Sequence, residues 1–421
     1  MTDVQNPHPL HNGPLSGYRV LELGSTVAGP FCGRLLADFG AEVIKIEPLT
    51  GDPVRTMGKQ HENQSLYAAS ILRNKSLIAV DLRTDAGQNI VRRLVKECDV
   101  VIENFRPGGL EKWNLGYDAL SALNPRIIMA RISGFGQNGP YSQRPGYGVI
   151  GEAVSGLRHV TGDPDRPPSR AAVSLTDCLT GLYAAFGVLM AVLARQTTGK
   201  GQYIDAALYE CAFSMMEPHV PAFDKLGVIA GRAGSRLPDS TPNNLYPTGD
   251  GDFIHITAMA DAVFQRLLGA MGTPELADDP RFGDARGRAA NEAALDALIS
   301  NWTTSHTLEQ LEAALSTAAV PATRIFTMKD IFGDAHFKAR DMLVDVPHEK
   351  LGTVKVAGVV PKLSDTPGAL RCAGGPIGRD TRQILASVAG YSNADIDALL
   401  ESGAIRETSN AANPAGAVTA S

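Results

Sequence analysis

Across residues 17–133, short apolar runs alternate with stretches whose apolar residues recur every three or four positions. Residues 18–23 (YRVLEL) read as a strand, 24–30 (GSTVAGP) as a loop and 31–39 (FCGRLLADF) as a helix that Gly40 stops. A second strand follows at 42–47 (EVIKIE), completing a β-α-β unit of about thirty residues, the size of one nucleotide-binding half. Next come a strand at 77–82 and a helix that Thr84 caps, with Ile90, Val91, Leu94 and Val95 on one face. Strands at 100–105 and 126–133 flank a short helix at 110–113. Strands alternating with helices predict an α/β fold with a parallel sheet and right-handed crossovers. Ligands of such sheets bind beyond the carboxyl ends of the strands.

Residues 173–199 (VSLTDCLTGLYAAFGVLMAVLARQTTG) predict one long helix. Its apolar stripe, Leu179, Leu182, Tyr183, Phe186, Leu189 and Met190, is rich enough to predict a helix covered on most sides. Asp177 is the only acid between Asp165 and Asp205, and it falls in the first turn, where the helix dipole favours an anion. Two readings stay open on these residues. Ser174 and Asp177 have capping-box spacing, and an ionised carboxylate beside apolar packing can act as a nucleophile.

The pattern then changes. Residues 211–244 are mixed and rich in Gly, Pro and Ser; 245–248 and 253–257 flank Gly249-Asp250-Gly251 as a hairpin. Helices at 261–271, 289–302 and 307–317 complete a small α+β domain, and strands return between 341 and 363. Two helices close the fold at 379–388 and 393–402, with Ser392 and Asp395 as a capping pair and Gly403 as C-cap. The expected organisation is a disordered leader (1–16), a large Rossmann-like domain (17–210), a linker (211–235), the small domain (236–330), a return linker (331–352), the rest of the large domain (353–408) and a disordered tail (409–421).

Composition narrows the chemistry. The 421 residues are 44% hydrophobic and 20% charged, with a net charge of −6, which disfavours nucleic-acid and polybasic membrane roles. The polar N-terminal segment has no apolar signal region, and the AAFGVLMAVLA run is short for a membrane span, so a cytoplasmic protein is expected. Five scattered cysteines form no C-x-x-C, and nine histidines show no paired-ligand spacing, so no metal site is expected. There is no G-x-S-x-G elbow, no phosphate-binding G-x-x-x-x-G-K and no G-x-G-x-x-G. His159 reads as a polar loop residue. Arg55, Arg73, Lys75, Arg83, Arg106, Lys112 and Arg144 gather at strand ends and the loops after them, a basic rim suited to a small polyanion.

The ordered motifs VLEL (20–23), AGP (28–30), LADFGAEVIKIEP (36–48), GDP (51–53), RNKS (73–76), ENFRPG (103–108), LGY (115–117), SGFG (133–136), GPY (139–141), TGKGQ (198–202) and AGYS (389–392) resemble the class III CoA-transferases, the CaiB/BaiF family, over nearly the whole chain. Through QRPGY (143–147) and DCLTGLY (177–183) the resemblance is greatest to members related to succinate–hydroxymethylglutarate CoA-transferase.

The resemblance implies a Rossmann-like large domain built from both ends of the chain, a small middle domain and an interlocked homodimer. It implies Asp177 as the nucleophile that carries first the acyl group and then CoA. CoA contacts are implied at Val27, Ala28, Pro48, Val80, Arg83, Asn104, Phe105, Arg106, Lys112, Tyr147 and Gly148. Coenzyme A and its thioesters enter as substrate, with no permanently bound cofactor, and the co-substrate is a small carboxylic or dicarboxylic acid. Arg55, Arg232 and Arg236 are candidates for a second carboxylate, since guanidinium binds carboxylate bidentately. The alternatives are a 2-methylacyl-CoA racemase and a non-catalytic acyl-CoA-binding protein. The racemase relatives carry His-Asp where this chain has Tyr147-Gly148, and racemisation needs two acid/base groups. The formyl-CoA:oxalate enzymes carry Gln at the position of Val27 and a glycine-rich loop where this chain has GRAGSR (231–236).

Overall fold

The structure, a computed structural model, describes residues 13–408. Residues 1–12 of the expected leader (1–16) and the tail at 409–421 lie outside the described residues. Residues 13–16 are ordered rather than a disordered leader: Ser16 N–H donates to Gly13 O (3.0 Å) and Leu15 N–H to Phe39 O (3.0 Å).

The chain divides into two compact units. The first comprises 13–157, 171–218 and 338–408, the second 158–170 and 219–337. The first is built on strands β1 (Arg19–Glu22), β2 (Glu42–Glu47), β3 (Lys75–Val80), β4 (Val100–Glu103), β5 (Ile128–Ser133) and β6 (Tyr203–Ala207). Their order is β3-β2-β1-β4-β5-β6, all parallel, and the short strand Ile405–Arg406 adds antiparallel to the β3 edge. The order reverses between β1 and β4, so a crevice opens beyond their carboxyl ends.

Both faces of this sheet are covered, because alternate residues of each strand point to opposite sides. Leu21, Ile44, Ile78, Val101 and Met129 pack with Ile90 and Leu94 of the helix Asp85–Val95 and with Ile384, Leu385 and Ile396 from the C-terminal region. Val20, Val43, Val100, Ile102 and Ala130 pack on the other side beneath helix α1 (Ala28–Asp38) and the helix Leu175–Thr198. Ser392 and Asp395 form the expected capping box, Ser392 Oγ accepting from Asp395 N–H (3.2 Å) and Asp395 Oδ2 from Ser392 N–H (3.1 Å).

The second unit carries the expected hairpin, Asn243–Pro247 with Phe253–Thr257, joined by a third antiparallel strand, Ala322–Arg324. Tyr246, Ile254, Phe264, Phe282 and Leu311 form its own core. The segments expected as linkers are structured. Residues 211–235 include the end of the helix Leu208–Phe213 and the whole helix His219–Leu226. Residues 331–352 include the helix Ala335–Ala339 and the strand Leu343–His348. A polar, Gly-rich composition did not exclude short helices there, because packing decides marginal segments.

The 24-residue helix Leu175–Thr198 is by length and composition long enough to cross a membrane, a property that core helices of soluble proteins share. Its small face, Gly181, Ala184, Ala185, Val188 and Ala191, is buried against α1. The larger stripe expected to be covered points outward: Leu182 is 53% and Phe186 55% exposed. Gly181 explains the choice of face. A Cβ there would lie 2.7 Å from Ala28 O and 3.2 Å from Cys32 N, so only glycine admits the backbone approach. Gly181→Val should therefore destabilise the fold by about 1–3 kcal/mol, read as a lower urea midpoint at unchanged slope; an unchanged midpoint would contradict this packing.

Candidate active site

The crevice between β1 and β4 is closed by backbone, not by a glycine fingerprint. The loop after β1 doubles back so tightly that a Cβ on Gly24 would lie 3.2 Å from Gly29 Cα. Asn104, just beyond β4, clasps this loop at both ends of one residue. Its Oδ1 accepts from Ser25 N–H (2.8 Å) and its Nδ2 donates to Ser25 O (2.9 Å).

Beneath the loop lies a buried ionic cluster. Lys45 Nζ sits 2.9 Å from Asp52 Oδ2 and 3.6 Å from Glu22 Oε1, and donates to Gly24 O. Lys75 Nζ donates to Glu22 Oε2 (2.7 Å) and to Pro30 O (2.7 Å). Asp52 Oδ1 accepts from Thr26 N–H (3.0 Å) and Val54 N–H (2.9 Å). Burial works against the Lys45 ammonium, but the carboxylates of Asp52, Glu22 and Glu47 outweigh it and hold its pKa above the ordinary lysine value. Burial likewise opposes the Asp52 carboxylate, yet Lys45 and the amides of Val54 and Thr26 hold its pKa below the usual range.

The second wall comes from residues 133–147. Gly134 and Gly146 touch backbone to backbone, a Cβ on Gly134 falling 2.9 Å from Gly146 Cα. That contact places Tyr147 at the start of the helix Gly148–Val154. Asp177, half-buried in the first turn of the helix Leu175–Thr198, completes the enclosure. Residues 25–28, 104–107, Ser142 and 144–147 line one cavity of about 350 Å³ together with Asp177.

Ser174 is the N-cap of the Asp177 helix but makes no side-chain capping hydrogen bond, so the capping-box alternative is not realised. Gly148 lies directly against the carboxylate: a Cβ there would be 2.1 Å from Asp177 Oδ2. The neighbouring groups that could compete as nucleophiles are neutral near pH 7. Burial, and then the Asp177 charge, push the Cys178 thiol up to about 11. Burial, Cys178 and Asp177 push the Tyr67 phenol up to about 12.

Of the positions expected to contact CoA, Val27, Ala28, Asn104, Phe105, Arg106 and Tyr147 line the cavity with Asp177, and Gly148 backs the carboxylate. Pro48, Val80, Arg83 and Lys112 do not line it. They stand along the same edge of the sheet: exposed Pro48 follows β2, Val80 ends β3, and Lys112 lies in the turn Glu111–Trp113 after β4. The Val80 side chain is buried in the core, which leaves only its backbone for a ligand. Arg83 is tied to Asp81 (2.8 Å).

The basic rim is smaller than its sequence suggested. Arg73 is buried on Asp38 (2.7 Å) and Lys75 on Glu22. Arg55 holds Glu47 bidentately (2.7 and 2.7 Å) and faces a different cavity, shared with His348 and Arg406. Arg232 and Arg236 belong to the second unit, where Arg232 donates to Asp163 O (3.0 Å) and Arg236 pairs with Asp296 (2.8 Å). Arg106 and Arg144 are the arginines that line the Asp177 cavity, and neither forms an ion pair with a carboxylate among the described residues.

Residues 15–381 match the family described as CoA-transferase family III. The chain is 48% identical over 385 residues to a succinyl-CoA–D-citramalate CoA-transferase of Chloroflexus aurantiacus, covering 91% of this chain and 96% of that one. It is 37% identical to a succinate–glutarate CoA-transferase of Agrobacterium fabrum, covering 92% and 98%. Its fold is similar to the crystal structure of a CaiB/BaiF family protein from Brucella suis, with a TM-score of 0.80, 37% identity and coverage of 90% and 100%.

The Gly148 contact generates a direct test. Gly148→Ala should swing the Asp177 carboxylate off the peptide behind it and lower turnover of acyl-CoA on the order of 100-fold. Unchanged turnover would show that the Gly148–Asp177 contact has no part in the reaction.

Proposed function

The chain belongs to CoA-transferase family III, and on that premise we propose that Asp177 is the nucleophile of a transferase moving CoA from succinyl-CoA to a small dicarboxylic acid. CoA-transferase activity follows from the family; the donor, the acceptor and the residue roles are our reading. The observation that carries it is the single cavity in which the Asp177 carboxylate, backed by the Gly148 peptide, shares a wall with the Val27–Ala28 turn. The relatives named for succinyl-CoA and D-citramalate and for succinate and glutarate support the donor and acceptor classes.

The chemistry balances without an external proton. The Asp177 carboxylate adds to the thioester carbonyl, the C–S bond breaks, and CoA thiolate leaves a mixed anhydride. The thiolate then attacks the Asp177 carbonyl, releasing the donor acid and forming an aspartyl-CoA thioester. The acceptor carboxylate attacks this thioester to give a second anhydride and thiolate, and thiolate attack on the acceptor carbonyl yields the new CoA ester and restores Asp177. Each addition places negative charge on a carbonyl oxygen, which preorganised donors must meet. The N–H groups of Val27, Ala28 and Gly29 have no protein acceptor among the described residues and suit that task. Arg106, exposed at the mouth of the cavity, suits a CoA phosphate. Pro48, Val80, Arg83 and Lys112, farther along the edge, suit the rest of the nucleotide.

The enzyme is further proposed to work in the cytoplasm as a homodimer. The outward face of the Asp177 helix, with Leu182, Phe186, Met190 and Leu193 all exposed, supports the dimer, since so apolar a stripe calls for a partner surface.

Asp177→Asn should lower transfer from succinyl-CoA on the order of 1,000-fold or more and abolish the hydroxylamine-trapped adduct that the native enzyme forms. An Asp177→Asn protein that transfers CoA at the native rate would refute the assignment. Light scattering should give a dimer for the native chain and a monomer or aggregate for Phe186→Glu; a native monomer would refute the oligomeric reading.

A further inference from the structure

The cavity wall beside Asp177 contains a residue in a conformation its side chain disfavours. Thr26 has φ 70°, the left-handed region, which a β-branched residue adopts only under constraint. The constraint is visible. The Thr26 N–H is held by Asp52 Oδ1 (3.0 Å), and Asp52 is itself 2% exposed and backed by Lys45 at 2.9 Å. Lys45 also holds the carbonyl of Gly24, two residues upstream, while Lys75 holds the carbonyl of Pro30, four residues downstream (2.7 Å). Charged side chains from β2, β3 and the loop after β2 thus grip the turn at three backbone atoms. The segment between those grips, Val27–Gly29, keeps its amides free of protein acceptors among the described residues and lines the Asp177 cavity at Val27 and Ala28.

We propose that Asp52, backed by Lys45, is a positioning residue for CoA transfer: its bond to the Thr26 amide holds the turn left-handed and so presents the Val27–Ala28 peptide to the group reacting at Asp177. Asp52 reaches the reaction only through this turn, and it does not line the cavity. A purely structural role would require the carboxylate only for the ion pair with Lys45 and for the Val54 N–H that opens the turn Pro53–Thr56. The left-handed Thr26 shows a second use, because a relaxed turn would not need a buried acceptor at that amide. The inference rests on the proposed role of Asp177.

The test measures succinyl-CoA-dependent transfer and the rate of hydroxylamine-trapped adduct formation. Asp52→Ala should lower kcat on the order of 100-fold, with KM for succinyl-CoA within about threefold of native. Asp52→Asn keeps an oxygen acceptor for the Thr26 amide and should recover kcat to within about tenfold of native. Thr26→Pro, which leaves every buried charge in place but removes the N–H and fixes φ near −65°, should reproduce the Asp52→Ala loss and keeps the inference testable if Asp52→Ala does not fold. Native kcat in folded Asp52→Ala or Thr26→Pro, or an Asp52→Asn loss equal to that of Asp52→Ala, would overturn it. Asp177→Asn run alongside separates the two claims. Activity surviving there removes the transfer reading itself, whereas an inactive Asp177→Asn beside a fully active Asp52→Ala removes only the positioning role.

Discussion

Buried charge at the carboxyl edge of the sheet is the constraint on which the site depends. Glu22, Lys45, Glu47, Asp52 and Lys75 are each no more than 2% exposed, and Arg55 closes the set over Glu47. Three carboxylates face three cations, so the cluster is neutral while every member is costly to strand. Removing one partner of a buried pair of this kind typically destabilises by about 3–5 kcal/mol, because the survivor is left charged and desolvated. The cluster does not merely sit in the core. Its free valences are spent on backbone groups of the loop after β1, so the electrostatics of the interior set the shape of the cavity wall.

The same edge shows how a Rossmann-like sheet can serve a ligand without the usual glycine-rich phosphate loop. The strand order reverses between β1 and β4, which opens the crevice, and Asn104 stitches the loops on its two sides together through Ser25. Gly24 and Gly29 are spaced so that the loop folds on itself at van der Waals distance instead of wrapping a pyrophosphate. The helix that carries Asp177 is then drawn against α1 by its glycine and alanine face. Close approach of two backbones, not a large apolar interface, fixes the height of the carboxylate above the Val27–Ala28 turn. Gly148 performs the matching task on the other side, leaving room for the carboxylate where any side chain would collide with it.

The arginines fall into two groups, those paired with acids and those at the cavity. Arg55, Arg73, Arg131 and Arg195 are each bonded to an aspartate or glutamate of the same unit. These charges are consumed in holding the fold, and counting them as a binding rim overstates the local field. Arg106 and Arg144 instead stand at the cavity without an ion pair among the described residues, Arg144 resting on the ring of Tyr141 at 3.6 Å. A cation braced by an aromatic ring and left without a carboxylate is available to an anionic ligand.

Much of this was legible in the order of residues. Short continuous apolar runs alternating with period-3–4 stretches marked the parallel sheet, because a doubly covered strand must be apolar over its length and its crossover helices amphipathic. The lone acid opening the most apolar helix drew attention to Asp177, but a first-turn acid also suits a helix cap, and it was the resemblance to the CoA-transferases that favoured the nucleophile. The strand Tyr203–Ala207 and the helix Gly148–Val154 escaped notice: one is exposed at the sheet edge, the other barely two turns long, and both are stabilised by contacts distant in the chain. The face of the Asp177 helix that turns inward differs from its most apolar stripe for a related reason. Periodicity measures hydrophobicity, whereas the face chosen was the one small enough to let two backbones meet. Most of all, the sequence by itself determined that Lys45, Asp52, Arg73 and Lys75 carry charge, but only the tertiary structure decided that they are buried and paired. An ion pair is a property of two positions brought together by folding, and no one-dimensional pattern records the distance between them.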